Sequence, residues 1–148
     1  MFCLVYRSKA NPVFGSLQIK EMLEKARKYN KNRSITGCLL LYNGNFIQYL
    51  EGNQIQVLAL FDKIKNDIRH SEINLLSHDI IEEREFEDWK MAFEFLSNEN
   101  SQLQYLKLLV SSFFENSASS LTPNPTSLRF WRATKLLLQT KSKKSQRN

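Results

Sequence analysis

The segment ITGCLLLYNGNFIQYLEG, residues 35–52, limits what this chain can fold into more than any other stretch. Two apolar runs rich in strand formers flank Asn43-Gly44. That dipeptide suits a two-residue type I′ hairpin turn, in which both central residues take positive φ. A two-residue turn fixes the register: Tyr42 faces Asn45, Leu41 faces Phe46, and Leu39 faces Gln48. Alternation then puts Leu39, Phe46, Gln48 and Leu50 on one face of the sheet. A glutamine sits among large apolar side chains.

The rest of the chain falls into order around this hairpin. Phe2 to Arg7 reads as a short apolar strand, followed by turn residues Asn11, Pro12 and Gly15. Ser16 is placed to cap a helix in which Ile19, Met22, Leu23 and Ala26 recur at helical spacing. After the hairpin, Val57, Phe61, Ile64 and Ile68 form a second helical stripe, and Ile73–Ile81 and Phe86–Leu96 read as two more strands. The order β-α-β-β-α-β-β predicts an α+β, ferredoxin-like sheet with one extra strand and two helices on one face. Leu103, Leu106, Leu109 and Phe113 predict a third helix over about 101–115. A Ser/Pro-rich linker follows, and Leu128, Trp131 and Leu138 predict a fourth helix over about 128–140. The sheet face bearing Val5, Ile47 and Tyr49 is too apolar to stay wet, and the C-terminal helices are its natural cover. Two units are expected: a domain over 1–96 and a helical extension over 97–148.

Charge has to be located before it is interpreted. The net charge is +6, from 21 basic and 15 acidic residues. Seven of the basic residues and none of the acidic ones fall in residues 127–148, which leaves the preceding 126 residues at net −1. The basicity belongs to the tail, so nucleic acid is not the expected partner of the body. The absence of a membrane-length apolar run, and of a basic-then-apolar start, leads to the expectation of a cytoplasmic protein that makes no membrane contact. Cys3 and Cys38 lie inside strand-like runs and read as buried free thiols. They and the two histidines do not form a metal-ligand spacing. The acidic run Glu82, Glu83, Glu85, Glu87 and Asp88 reads as a solvated edge.

Two polar side chains stand where the pattern asks for apolar ones. Gln48 shares its face with Leu39, Phe46 and Leu50, and Tyr6 closes the face of Phe2 and Leu4. A buried carboxamide or phenol without a partner costs about 1–3 kcal/mol. A polar ligand between helices and sheet would satisfy both. Periodicity alone leaves the plainer reading ahead: a core tyrosine with a wet hydroxyl, and a glutamine turned to solvent by a one-residue slip. On the same basis Asn30 is an ordinary helix C-cap.

A set of motifs shifts that balance. LVYRS at 4–8, N-x5-TG at 30–37, LLLYNGNFIQYLEG at 39–52, D-x-RH at 67–70 and F-x2-W-x-M at 86–91 together resemble the BLUF family of flavin photoreceptors. Each is weak alone, but all five occur in family order across residues 1–96. The length is similar to that of family members with a C-terminal helical extension and no effector domain. The resemblance implies FAD, with FMN or riboflavin as alternatives, bound noncovalently between two helices above the sheet. Tyr6 matches the photoactive tyrosine and Gln48 the glutamine that bridges it to the flavin. Asn30 matches the asparagine at the flavin carbonyl edge, and Trp89 and Met91 the residues that couple the network to the surface. Asp67, Arg69 and His70 match positions at the ring edge and ribityl-phosphate side. Ile64 matches an apolar wall and Ser8 a small polar neighbour of the tyrosine. Leu39 is counted with the cofactor-binding residues from its place beside Gln48. The implied protein is a sensor rather than an enzyme, signalling through a homo-oligomer or a downstream protein partner.

Two other functions fit the same element order. An RRM-like nucleic-acid-binding domain shares the β-α-β-β-α-β outline, but needs basic and aromatic residues on an open strand, and LLYNGNFIQYL has no basic residue. A small acylphosphatase-like hydrolase would need a glycine-rich phosphate loop, which the sequence lacks.

Overall fold

The computed structural model describes residues 1–13, 15–87, 90–95, 131–132 and 135–136, with the backbone alone for 92–95. Its elements are β1 (Phe2–Ala10), α1 (Ser16–Asn32), β2 (Thr36–Tyr42), β3 (Asn45–Gly52), α2 (Gln54–Lys65), β4 (His70–Ile80) and β5 (Ala92–Phe95). They form one five-stranded sheet in the order β4-β1-β3-β2-β5. Within it β1 pairs antiparallel with β3 and β4, and β2 antiparallel with β3, while β5 runs parallel to β2. This is the expected ferredoxin-like sheet with an added edge strand.

The hairpin forms as its turn chemistry dictates. Asn43 and Gly44 take φ of 52° and 74°, and the register pairs Tyr42 with Asn45, Leu41 with Phe46 and Leu39 with Gln48. At the far end, a Cβ on Gly37 would lie 2.0 Å from the Tyr49 carbonyl oxygen, so only glycine lets β2 pass this close to β3. One face packs Phe2, Leu4, Leu39, Phe46 and Leu50 against Leu23 of α1 and Val57, Leu60 and Phe61 of α2. The opposite face buries Val5, Cys38, Leu40, Ile47 and Tyr49.

Several boundaries differ from the sequence expectation. The N-cap of α1 is Gly15, whose backbone N–H donates to Gln18 Oε1 at 3.1 Å, and Ser16 is the first helical residue. The helix continues to Asn32, so Asn30 lies inside its last turn and the C-cap is Arg33. At α2 the Asn53 side chain accepts the N–H groups of Ile55 and Gln56, at 3.0 and 3.3 Å, which fixes the start. That helix stops at Lys65, so Ile68 leaves the stripe and is 90% exposed. The last strand begins at Ala92 rather than Phe86. The backbone N–H groups of Glu85 and Phe86 are instead taken by the side chain of Glu51, at 2.8 and 2.7 Å. Glu85 is correspondingly not a freely solvated acid, and pairs with Arg132 at 2.7 Å.

Of the expected C-terminal helices, residues 131–132 and 135–136 are helical. Trp131 is fully buried against the sheet face opposite the helices, 5.4 Å from Tyr49 and 6.3 Å from Phe86 between ring centroids. The helix expected over 101–115 lies outside the described residues.

Candidate functional site

Between α1, α2 and the sheet lies a cavity of about 310 Å³. That is within the range of small-molecule pockets, roughly 300–1,000 Å³. The sheet contributes Tyr6, Leu39, Phe46 and Gln48 to its floor. Asn30 and Tyr29 line it from α1, Ile64 and Lys63 from α2, Met91 adds to the floor beside Gln48, and Asp67, Arg69 and His70 close the rim.

Tyr6 and Gln48 meet because β1 and β3 pair them directly across the ladder. A register shift between β1 and β4 falls between Val5 and Tyr6, at the start of the stretch that carries the phenol. The Tyr6 hydroxyl donates to Gln48 Oε1, and Gln48 Nε2 donates to Met91 Sδ at 3.1 Å. Both residues are buried, at 3% and 6% exposure. Desolvation, and then the charge of Asp67, push the Tyr6 pKa far above that of an ordinary phenol. The hydroxyl therefore keeps its proton. The register that made Gln48 inward-facing is confirmed, and the solvent-facing alternative is excluded.

Asn30 is 1% exposed. Its Nδ2 donates to the Lys90 carbonyl at 2.8 Å, and its backbone carbonyl accepts from Arg33 and Ile35. Its Oδ1 is buried without a hydrogen-bond partner. An orphaned acceptor on the wall of a cavity is costly unless a ligand donates to it.

His70 ties the cavity's far side together. Its Nε2 lies 2.8 Å from the Ile64 carbonyl and its Nδ1 2.8 Å from Ser8 Oγ. A carbonyl only accepts, so Nε2 carries the proton, and in the neutral ring Nδ1 accepts from the Ser8 hydroxyl. Ser8 thus orients a lining residue rather than lining the cavity itself. Asp67 and Arg69 form an ion pair at the rim, with Arg69 Nε 2.9 Å from both carboxylate oxygens. Hydrogen bonds from Arg69 hold the Asp67 carboxyl below its usual range, and Asp67 in turn raises the Arg69 pKa. Leu39 from the sheet and Ile64 from α2 both line the cavity. Trp89 lies outside the described residues.

Sequence reasoning passed over Tyr29 and Lys63. Tyr29 is faced by the Arg33 guanidinium at 3.6 Å and the Lys63 ammonium at 4.4 Å. Neither belongs to a quoted motif, and their meeting depends on how the two helices lie together. Glu51 was missed as well. Thr36 Oγ1, the Tyr49 hydroxyl and the Glu85 and Phe86 amides all donate to its carboxylate, at 2.7–2.9 Å. Nothing in the sequence pairs the acid of LEG with amides 34 and 35 residues further on.

The site fits a flat, mostly apolar ligand with polar edges. Aliphatic and aromatic walls suit an extended ring, the Asn30 Oδ1 awaits a donor, and Gln48 offers either sense of hydrogen bond. An isoalloxazine ring has this character. An RRM-type reading does not fit, because the sheet face it would use is buried, with Tyr49 at 0% exposure.

Comparison with known proteins agrees with the geometry. Residues 1–92 match BLUF, described as sensors of blue-light using FAD. The photoactivated adenylate cyclase subunit beta of Euglena gracilis is 33% identical over 90 residues, covering 60% of this chain and 10% of that protein. The blue light- and temperature-regulated antirepressor BluF of Escherichia coli K12 is 35% identical over 83 residues, covering 56% of this chain and 21% of that one. The chain thus matches a tenth to a fifth of the length of these relatives. The structure of BlsA in its photo-activated state superposes with a TM-score of 0.73 at 29% identity, covering 92% of this chain and 94% of BlsA. A buried Tyr6–Gln48–Met91 chain on the floor of a cavity with flavin-like demands, inside a matched domain, leads to one assignment: this chain belongs to the BLUF family of blue-light sensors using FAD.

Proposed function

We propose that the chain is a blue-light photoreceptor in which Tyr6 and Gln48 are the switching pair beside a noncovalently held flavin. The observation that carries this reading is the continuous Tyr6–Gln48–Met91 hydrogen-bond chain, buried on the floor of the cavity. Asn30, Gln48 and the apolar walls would hold the ring. Lys63 and the other cations near the mouth would favour a phosphate-bearing flavin, FAD or FMN, over riboflavin. When bound, the flavin supplies absorption of blue light and an excited state that draws an electron.

The chain's own residues then have definite tasks. Burial keeps the Tyr6 phenol protonated and pointed at Gln48 Oε1. Loss of an electron from a phenol makes that proton strongly acidic, and Gln48 Oε1 is the acceptor beside it. A carboxamide has a donor end and an acceptor end, so turning Gln48 reverses its bond with the Tyr6 hydroxyl and gives up the one to the Met91 thioether, which has no proton to donate. Met91 lies just before β5, so a change at Gln48 is felt at the last strand. From there the signal would leave through the segment carrying Trp131, toward a second copy of the chain or a downstream protein. We place the boundary between sensor and extension near residue 96, and the protein in the cytoplasm.

The test is optical. Purified protein should carry a flavin, and blue light should produce a small reversible red shift without a covalent adduct. Tyr6→Phe should keep the flavin and lose the shift. Folded, colourless protein that refuses added FAD, or an undiminished shift in Tyr6→Phe, refutes the reading.

A further inference from the structure

Glu51 is fully buried, on the sheet face opposite the cavity. Burying a carboxylate is costly, and an aliphatic residue would sit there more cheaply if nothing needed the charge. Four donors do need it. Thr36 Oγ1 and the Tyr49 hydroxyl reach it at 2.8 and 2.9 Å. The backbone N–H groups of Glu85 and Phe86 reach it at 2.8 and 2.7 Å. The hydroxyls could turn elsewhere, but the amides cannot. The β5 ladder starts only at Ala92, so Glu51 serves these two amides where a neighbouring strand otherwise would. Arg84 braces the same corner, donating to Thr36 Oγ1 at 2.8 Å and to the Ser34 carbonyl at 2.6 Å.

The same stretch of chain is held again a few residues later, on the cavity side. Asn30 Nδ2 donates to the Lys90 carbonyl at 2.8 Å, and Arg27 Nε to the Met91 carbonyl at 3.1 Å. Gln48 Nε2 donates to Met91 Sδ at 3.1 Å. Gln48 and Glu51 belong to one strand, three residues apart and on opposite faces. A circuit therefore closes from Gln48 to Met91, back along the chain to Phe86, across to Glu51, and along β3 to Gln48. Fixing Phe86 restricts where Met91 can stand, because only four residues separate them.

We propose that Glu51 is a positioning residue for the light response: it anchors the Glu85–Phe86 backbone from the far side of the sheet and thereby sets where Met91 meets Gln48. The proposal rests on the photosensor reading above. The anchor also touches the C-terminal turn, since Phe86 packs on Trp131 and Glu85 pairs with Arg132. A disturbance that begins at Gln48 thus arrives at both.

Amide hydrogen exchange on the flavin-loaded full chain tests this directly. In the dark the Glu85 and Phe86 amides should be protected like those of the β1–β3 ladder. Under steady blue light they should exchange at least about tenfold faster while the ladder amides do not change. Equal rates in light and dark, in a sample whose flavin spectrum does shift, overturn the role of Glu51 and leave the photosensor reading standing. A sample with no spectral shift overturns both.

Two variants separate positioning from bulk stability. Glu51→Gln keeps the shape but turns an NH2 group toward an amide that can only donate. It should retain flavin and the dark absorption maximum, and its dark recovery should quicken at least about fivefold, the rate equivalent of one lost hydrogen bond. Tyr49→Phe removes a donor to the same carboxylate without touching either amide, and should recover within about twofold of the wild type. Wild-type recovery in Glu51→Gln overturns the proposal, and if that variant fails to fold, the exchange measurement on the wild type decides.

Discussion

The two faces of this sheet solve one problem in opposite ways. Each buries a tyrosine, Tyr6 on the cavity side and Tyr49 behind it, and on each desolvation is the main force raising the phenol's pKa. The partners differ. Tyr6 donates to Gln48, a carboxamide whose other end donates to Met91, while Tyr49 donates to Glu51, a carboxylate that can only accept. Around Glu51 the four contacts have one workable arrangement. Around Gln48 a turn of the amide keeps a bond to Tyr6 with its sense reversed and releases only the weak one to the Met91 thioether. A buried phenol is not in itself a switch: what it bonds to decides whether the pair can change.

That contrast is breakable by substitution, and stability gives the widest margin. Glu51→Leu leaves the Glu85 and Phe86 amides without acceptors and should cost at least about 2 kcal/mol, at roughly 1–3 kcal/mol per orphaned group. Gln48→Leu orphans only the Tyr6 hydroxyl and adds apolar burial, so its cost should stay within about 1 kcal/mol, although the light response disappears. Urea unfolding at a fixed excess of flavin checks both. If Gln48→Leu proves the more destabilising, the locked and switchable faces have been assigned the wrong way round.

Asn30 tests the cavity face alone. Asn30→Ala deletes the unpartnered Oδ1 together with the bond to Lys90. Flavin release should become about tenfold easier, from about 1–1.5 kcal/mol of lost hydrogen bonding. Equilibrium dialysis against FAD measures it, and unchanged affinity would mean that Oδ1 does not face the ligand.

The smallest effect belongs to the rear face. Burial pushes the Cys3 thiol from 9.0 up to about 11. Between those values the unfolded chain has lost a proton that the folded chain keeps, so stability falls as pH rises through that window. Cys3→Ala should flatten the decline between pH 9 and 10 by about 1 kcal/mol, with tyrosine titration taking over above that. Parallel denaturation curves for the two proteins across this range would show that Cys3 contributes nothing to it.

Much of the cavity face was legible in the sequence because one turn governs it. Asn43-Gly44 fixed the register, and the register placed Gln48 inward and across from the first strand. The rear face was harder to read. Alternation puts Glu51 on the covered face with Ile47 and Tyr49 but shows nothing there to bond it, and two of its donors lie 34 and 35 residues further on in a stretch that reads as strand. An acid and a pair of backbone amides leave no periodic trace of each other. Tyr29 and Lys63 escaped for a related reason, since helix periodicity shows which side of a helix is apolar but not which residues of two helices meet at a rim. The start of β5 was misplaced because Phe86 satisfies the apolar pattern of a strand while its amide is committed to Glu51.

The hairpin also limits how this protein can change over generations. Gln48, Tyr49 and Glu51 share one eight-residue strand, with parity alone assigning each to its side. Substitutions elsewhere can be absorbed one at a time, but a residue gained or lost between Gly44 and Gln48 has only two outcomes. Either a bulge swallows it locally, or every later side chain trades sides, with Tyr49 entering the cavity and Gln48 meeting the Glu85–Phe86 backbone. Length variation should therefore accumulate in other connections of the chain, while this loop stays at two residues.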